Sequence, residues 1–377
     1  MQADLIERMI GWRHHLHAHP ELSRQEAQTA SFVSAQLTAM GIKYEGGIGG
    51  HGVVATISRG GSNRSVGLRA DMDALPITET TGAPHASRHA GVMHACGHDG
   101  HTTSLLGAAQ LLLDDPDWRG TVHLVFQPAE EGFGGAEAML KDGLLSRFPM
   151  EQMFGYHNWP GLQTGTVMLH DGPVMAAAEN FNISLNGQAG HAAMPHLTTD
   201  PVQGVAHMIL ALNHIVARQV DPLAQAVIST CTLSAGQAQN QIPSQASLGG
   251  TFRAMTPAMM AFLRGRISTV AEQTAAMLGL RAEIGFTGYL PPTANNAAQT
   301  EIAVLAAQNA GLPLRRDMAP TMGAEDFGRF LEVIPGAYAW IGNGDSAGLH
   351  HPDFDYNDDI LPVAARYLAA SAKAALT

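Results

Sequence analysis

Near residue 180 the order of elements in this chain changes, and that change limits its possible folds more than any other feature. "NFNISLNG" reads there as a strand and "DPVQGVAHMILALNHIVARQV" (200–220) as a long helix. "QAVISTCTLSAG" and "SQASLGGTFRAM" follow as two strands, "TPAMMAFLRGRISTVAEQTAAMLG" (256–279) as a second helix, and "RAEIGFTGYL" as a last strand. That β-α-β-β-α-β order is the split ferredoxin-like unit of about a hundred residues. On either side of it helices and strands alternate, which argues for an α/β layered domain. The helical "TASFVSAQLTAMG" (29–41) stops on a glycine, and "GVVATIS", "SVGLRADM" and "GTVHLVFQP" are β-rich runs. The predicted fold class is therefore α/β in two domains. Residues 1–180 plus 290–377 form a mixed domain with a central sheet flanked by helices, and 181–289 form an inserted α+β domain. A length of 377 residues exceeds what one core usually supports, which agrees with two domains.

The formal net charge of -12 argues against a nucleic-acid backbone as partner, and no polybasic patch suits a membrane surface. Two cysteines, Cys96 and Cys231, form one bridge at most and exclude a disulfide framework, so a reducing cytoplasm fits better. The opening "MQADLIERMIGWRHHLHAHPELS" is charged and amphipathic and predicts neither a signal peptide nor a membrane span. Nineteen histidines are the compositional oddity. Most must be ordinary surface or core residues; metal binding is implied only where several converge with carboxylates.

Such a convergence is "GVMHACGHDGH" (91–101), a loop opening into a predicted helix over 102–113. A thiolate at Cys96 and an imidazole at His98 can reach one or two divalent ions from it. The competing readings are a simply buried cysteine and a nucleophilic Cys–His pair. Past the next strand, Glu130 and Glu131 in "FQPAEEGFGGA" point to opposite sides. One can ligate a metal while the other serves as general base, or both can belong to a solvated acidic turn. Asp71 and Asp73 in "RADMDALPI" share one face at a strand end, able to orient a ligand histidine or to pair with Arg69. His157 in "GYHNWPG" sits at a strand end, and His350 and His351 in "GLHHPDFDYNDD" lie on another loop. Cys96, His98, Glu131, His157 and one of His350/His351 make five ligands over four loops. Two metals sharing a bridge need about that many, whereas one structural zinc needs four. The implied reaction is hydrolysis.

Taken together, "RADMDALPI", "GVMHACGHDGHT", "FQPAEEGFGGA", "GYHNWPG", "GHAAMPH", "GAEDF" and "LHHPDFDYND" resemble the M20 metallopeptidase family. The resemblance lies with its amidohydrolase branch, which acts on hippurate, N-acyl amino acids and auxin conjugates, and it runs along nearly the whole chain. It implies that Cys96 bridges two metals where many relatives use aspartate, with His98, Glu131, His157 and His350 completing the sites. The Leu-His-x-Pro frame, here Leu349 to Pro352, selects His350 over His351. Glu130 would be the general base, moving a proton from the attacking water to the leaving amine. Asp73 would be an orienting carboxylate. The inserted domain would be a lid that commonly mediates dimerisation. His191 would stabilise the oxyanion, and Asn240 and Arg253 would hold the substrate carboxylate, for which a planar guanidinium is well suited. Gln241, where relatives often carry valine, and Ala189, where they often carry glycine, put lid contacts rather than metal chemistry in doubt.

The expected activity is amide cleavage of N-acyl amino acids by a homodimer or higher oligomer with two divalent ions per chain. The donor set suits zinc or manganese, and also cobalt or nickel. Dipeptidase or carboxypeptidase action on the same site is the alternative within enzymes. A non-catalytic metal-binding protein is the alternative outside them.

Overall fold

The computed structural model describes residues 1–132 and 134–377. The chain forms two units: Met1–Val174 with Ala294–Ala319 and Asp326–Thr377, and Met175–Thr293 with Pro320–Glu325. No described helix is long and apolar enough to cross a membrane.

The first unit is built on an eight-stranded mixed sheet. Five of its strands are β1 (Lys43–Ile48), β2 (Gly52–Arg59), β4 (Gly120–Gln127), β3 (Ser65–Asp71) and β5 (Gln152–Pro160), in that spatial order from one edge. Strand Gly336–Gly344 and two short strands, Val167–Met168 and Leu314–Arg315, extend it beyond β5. β4, β3, β5 and Gly336–Gly344 run parallel, so their carboxyl ends lie along one edge. Ligands of open α/β sheets gather at such an edge. β3 and β4 are buried almost continuously rather than alternately, because helices cover both faces of a parallel sheet. Among those helices are α1 (Ala3–Ala18), α2 (Ala27–Ala39), α3 (His98–Asp114) and the C-terminal Leu361–Ala375. Their shared core includes Met9, Leu68, Leu105, Phe126 and Leu368.

α3 begins at His98, four residues before the start expected from apolar spacing. "HDGH" has no apolar residue to signal helix, yet all four of its residues are buried. Gly97 precedes it in a left-handed conformation (φ 93°), where a side chain would be strained. A β-carbon at Gly97 would stand 2.3 Å from Asn158 Oδ1, and one at Gly100 would stand 2.3 Å from the Tyr356 ring. The two glycines let the helix start dock directly against β5 and Tyr356.

The second unit carries a four-stranded antiparallel sheet ordered Ala226–Ala235, Gln245–Ala254, Ala177–Asn186, Arg281–Leu290. Helices Pro201–Gln219 and Pro257–Met277 pack on one face, around Phe181, Leu185, Met208 and Leu263. Both helices start alike. Proline occupies the first helical position, and the preceding Asp200 or Thr256 side chain accepts an amide N–H, from Val202 and Met259 respectively. The β-α-β-β-α-β order read from the sequence is the one observed. Strand Ala226–Ala235 is an edge strand.

Candidate metal centre

Five elements of the first unit deliver the site. Asp71 closes β3, Asp73 lies two residues beyond it, and Glu130 and Glu131 follow β4. His157 lies inside β5, Cys96 and His98 flank the turn into α3, and His350 sits on the loop after Gly336–Gly344. His157 is thus a strand residue, as its place at a predicted strand end suggests, and His98 is a helix residue where the sequence suggests a loop. Parallel strands aim side chains from their carboxyl ends into one crevice, so residues distant in sequence converge there.

The ligand atoms of Cys96, His98 and His157 all lie within 4.8 Å of one another, and so do those of Cys96, Glu131 and His350. The two triads share only the Cys96 sulfur. A third group joins His98 to Glu130 and Glu131. Cys96 Sγ stands 3.3 Å from His157 Nε2, and His350 Nε2 stands 3.1 Å from Glu131 Oε1. His351 does not join these groups; its Nδ1 accepts the Asp353 N–H at 3.1 Å. His350 adopts a left-handed backbone (φ 63°), unusual for a residue with a β-carbon, and its N–H donates to Ala95 O at 2.8 Å. Strain of this kind is kept where the surroundings enforce it, often at functional sites.

The His98 and His157 imidazoles are each oriented by the bond at the far nitrogen. His98 Nδ1–H donates to Asp73 O at 2.8 Å, and His157 Nδ1–H donates to Asn158 O at 2.7 Å. With Nδ1 committed in both rings, Nε2 is the nitrogen that would offer its lone pair to a cation taking the place of a proton. His101, the second histidine of "GHDGH", places Nδ1 2.6 Å from Asp71 Oδ1, and its ring packs edge-on against His157 at 4.7 Å. Asp71 is held in turn by Arg69 Nη1 at 2.7 Å, and Arg69 Nη2 donates to Asp326 at 3.0 Å. Asp73 does more than orient His98. Its Oδ1 and Oδ2 accept the backbone N–H groups of Glu130 (3.1 Å) and Glu131 (2.9 Å), and Ser23 Oγ donates to it at 2.6 Å.

The electrostatics call for a cation. Burial pushes the Cys96 thiol well above its ordinary range, and the charges of Glu131, Glu130 and Asp71 add to the shift. Burial also holds His157 well below its usual value, with His101 contributing. At His98 burial works the same way, but Asp71, Asp73 and Glu131 outweigh it and raise the imidazole to about 10. A pocket that draws a proton onto a buried imidazole favours positive charge there. His98 Nε2 is buried without a hydrogen-bond partner among the described residues. Buried orphans of this sort demand an explanation, and a metal ion supplies one. Sulfur, imidazole and carboxylate donors together suit a divalent transition ion.

His191, Asn240 and Arg253 belong to the second unit. The short strands Gly190–His191 and Gln241–Ile242 pair there, and Ala192 N–H donates to Asn240 O at 3.0 Å, so His191 and Asn240 are neighbours. Both are exposed; Arg253 is half-buried on strand Gln245–Ala254. Sequence reasoning gives no role to Ser23, Glu26 or His101. Only His101 carried a signal, as the last histidine of the quoted cluster.

Comparisons with known proteins agree on one family. The model of peptidase family M20/M25/M40 matches residues 67–374. N-acetyl-L-cysteine deacetylase of Bacillus subtilis is 40% identical over 370 residues, covering 98% of this chain and 88% of that protein. Hippurate hydrolase of Campylobacter jejuni is 38% identical over 359 residues, covering 95% and 94%. Among solved structures, the Bacillus subtilis YXEP protein, described as a dinuclear metal binding peptidase from the M20 family, superposes with a TM-score of 0.89. It is 34% identical, and the match covers 100% of this chain and 99% of that one.

Proposed function

This chain belongs to peptidase family M20/M25/M40, and from that premise we propose that it hydrolyses the amide bond of N-acyl amino acids. The substrate class is supported by the names of its relatives, a deacetylase of N-acetyl-L-cysteine and a hydrolase of hippurate. Both would release a carboxylic acid and a free amino acid.

The observation that carries the reading is the pair of triads joined at Cys96. His98 and His157 would hold one cation, Glu131 and His350 the other, and the Cys96 thiolate would bridge them. Two such cations, when bound, supply a nucleophile at neutral pH and polarise the substrate carbonyl. The residues do the rest. Glu130, buried beside this cluster, would take a proton from the attacking water on its carboxylate and deliver it to the leaving nitrogen. Asp73 fixes the Glu130 amide and the His98 ring together, so base and ligand keep a common reference. Zinc or manganese suits the donors best, with cobalt or nickel next.

In the second unit His191 is assigned to the developing oxyanion, and Asn240 and Arg253 to the substrate carboxylate. Support comes from the exposure of His191 and Asn240 and from the planar fork of arginine. Dimerisation through this unit is part of the proposal. Its edge strand Ala226–Ala235 has no charged side chain in ten residues, and Leu233 on it is 56% exposed. Such an edge favours pairing with another strand. Cys96 and Cys231 are both free thiols, which suits a reducing cytoplasm.

Glu130→Gln is the deciding experiment, assayed on a panel of N-acetyl amino acids, hippurate and dipeptides. Turnover should fall by about 10²–10⁴-fold with bound metal unchanged. Undiminished turnover would remove Glu130 from its role, and cleavage of dipeptides alone would remove the substrate class.

A further inference from the structure

The loop bearing Glu130 and Glu131 is gripped by two buried carboxylates rather than one. Asp73 accepts the N–H groups of Glu130 and Glu131. The amide just before them, Ala129 N–H, donates to Glu26 Oε1 at 2.8 Å. Three successive amides are therefore fixed, one by a residue from the far end of the sequence. Glu26 sits immediately before α2, is fully buried, and accepts the Arg24 N–H on the same oxygen at 2.8 Å. Its second oxygen, Oε2, is buried without a partner among the described residues.

Ala129 shows why that grip matters. Its φ is +54°, in the left-handed region that a residue with a β-carbon rarely occupies. Strain there persists only where contacts over-determine it. The turn sends the chain from β4 into the acidic pair, so relaxing it would swing both glutamates. The neighbouring packing is equally close: a β-carbon on Gly132 would stand 2.8 Å from Ser23 Cβ. The segment 23–26 thus forms the wall against which the acidic loop is set.

We propose that Glu26 is a positioning residue for hydrolysis, holding the Ala129 turn so that Glu130 and Glu131 meet the cluster in the right place. The proposal rests on the reading of Glu130 as base and Glu131 as ligand. A neutral acceptor suffices for this role, so Gln should replace Glu, whereas Asp is one methylene too short to reach the Ala129 amide.

The test compares Glu26→Gln, Glu26→Asp and Glu26→Ala with Glu130→Gln in the full chain, below every variant's melting midpoint. kcat and KM are measured at saturating manganese, and manganese affinity is measured separately by competition with a chelating dye. Glu26→Asp and Glu26→Ala should each lose about 10–100-fold in kcat or in metal affinity, as residues supporting metal ligands do. KM should change little, because substrate binding is not the target. Glu26→Gln should restore most of both. A purely structural Glu26 would lower melting temperature and leave kcat and metal affinity per folded molecule at wild-type values, which overturns the proposal. If Glu26→Ala does not fold, the Asp and Gln variants decide: equal impairment or none in either overturns it, and rescue by Gln alone upholds it. Should Glu130→Gln be inert while the Glu26 series matches wild type, only Glu26 loses its role. Should Glu130→Gln stay active, the base assignment itself fails.

Discussion

The assigned residues of the first unit and those of the second are held in opposite ways. Around Cys96 most side chains are buried, His350 excepted, the far ring nitrogens of His98 and His157 are bonded, and even backbone amides are tied to carboxylates. His191, Asn240 and Arg253 lie on a surface. Arg253 makes a long 3.4 Å bond to Thr251, and His191 is anchored by a two-residue ladder. A metal centre needs donors fixed before the ion arrives, because their mutual repulsion opposes assembly. A group that meets a passing substrate needs only to be presented, and its order can come from binding. Local rigidity is therefore itself a functional signal in this molecule.

The sharpest way to break the contrast is Cys96→Ala. One atom shared by two triads should make it the most damaging change, with metal content falling below that of any single-ligand variant and turnover reaching background. Cys96→Asp, offering two oxygens in place of sulfur, should recover part of both, as read by elemental analysis and rate. Retained stoichiometry in Cys96→Ala would show that the triads are independent.

Next comes the buried scaffold. Arg69 is fully buried between Asp71 and Asp326, and Arg69→Met takes the cation from both carboxylates, leaving Asp71 to His101 and Asp326 to Gln127 and the Ala136 amide. Breaking a buried pair costs about 3–5 kcal/mol, measurable by urea unfolding. A loss under 1 kcal/mol would mean that the first unit is less over-determined than its bonds imply.

A pH series tests the same scaffold at the first turn of α3. There Asp99 accepts from Arg13 Nε at 3.0 Å and pairs with His17 Nδ1 at 2.8 Å. Burial disfavours the His17 cation, but Asp99 and Glu79 outweigh that and raise it to about 9. A raised histidine binds its proton more tightly folded than unfolded. Its contribution is therefore complete below pH 6.5, shrinks as pH rises toward 9, and vanishes above it. The shift corresponds to roughly 3 kcal/mol. The stability difference between wild type and His17→Gln should close over that window.

The smallest expected effects on stability lie in the second unit. Arg253→Met and His191→Asn should each change unfolding free energy by less than about 0.5 kcal/mol, as surface substitutions usually do. Their signature should be kinetic. Arg253→Met should raise KM for substrates with a free carboxylate and leave amidated analogues unaffected. A large stability loss at either position would erase the contrast drawn above.

Much of this was legible in the sequence. Element order was, because apolar period distinguishes strand from helix over long runs, and the inserted unit has long runs. The ligand candidates were, because cysteine, histidine and acid rarely cluster by chance. What stayed hidden was whatever depends on contact between distant segments. "PELSRQE" reads as an ordinary polar loop, and nothing in it says that Glu26 reaches the Ala129 amide 103 positions away. The choice between His350 and His351 likewise needed either a family frame or coordinates, since both have the same chemistry. The start of α3 was misplaced because its first turn is polar and buried at once, and periodicity cannot register a polar interior.

The two glycines that frame His98 carry a last consequence. With Asn158 and the Tyr356 ring pressed against Gly97 and Gly100, even an alanine at either position must pry the helix start away from its neighbours. Random mutation can explore much of the exterior of this molecule freely, but at these two positions the smallest possible enlargement already moves the donors on either side. Divergence toward new substrates is therefore channelled elsewhere, onto surfaces that can change shape without disturbing the candidate ligands.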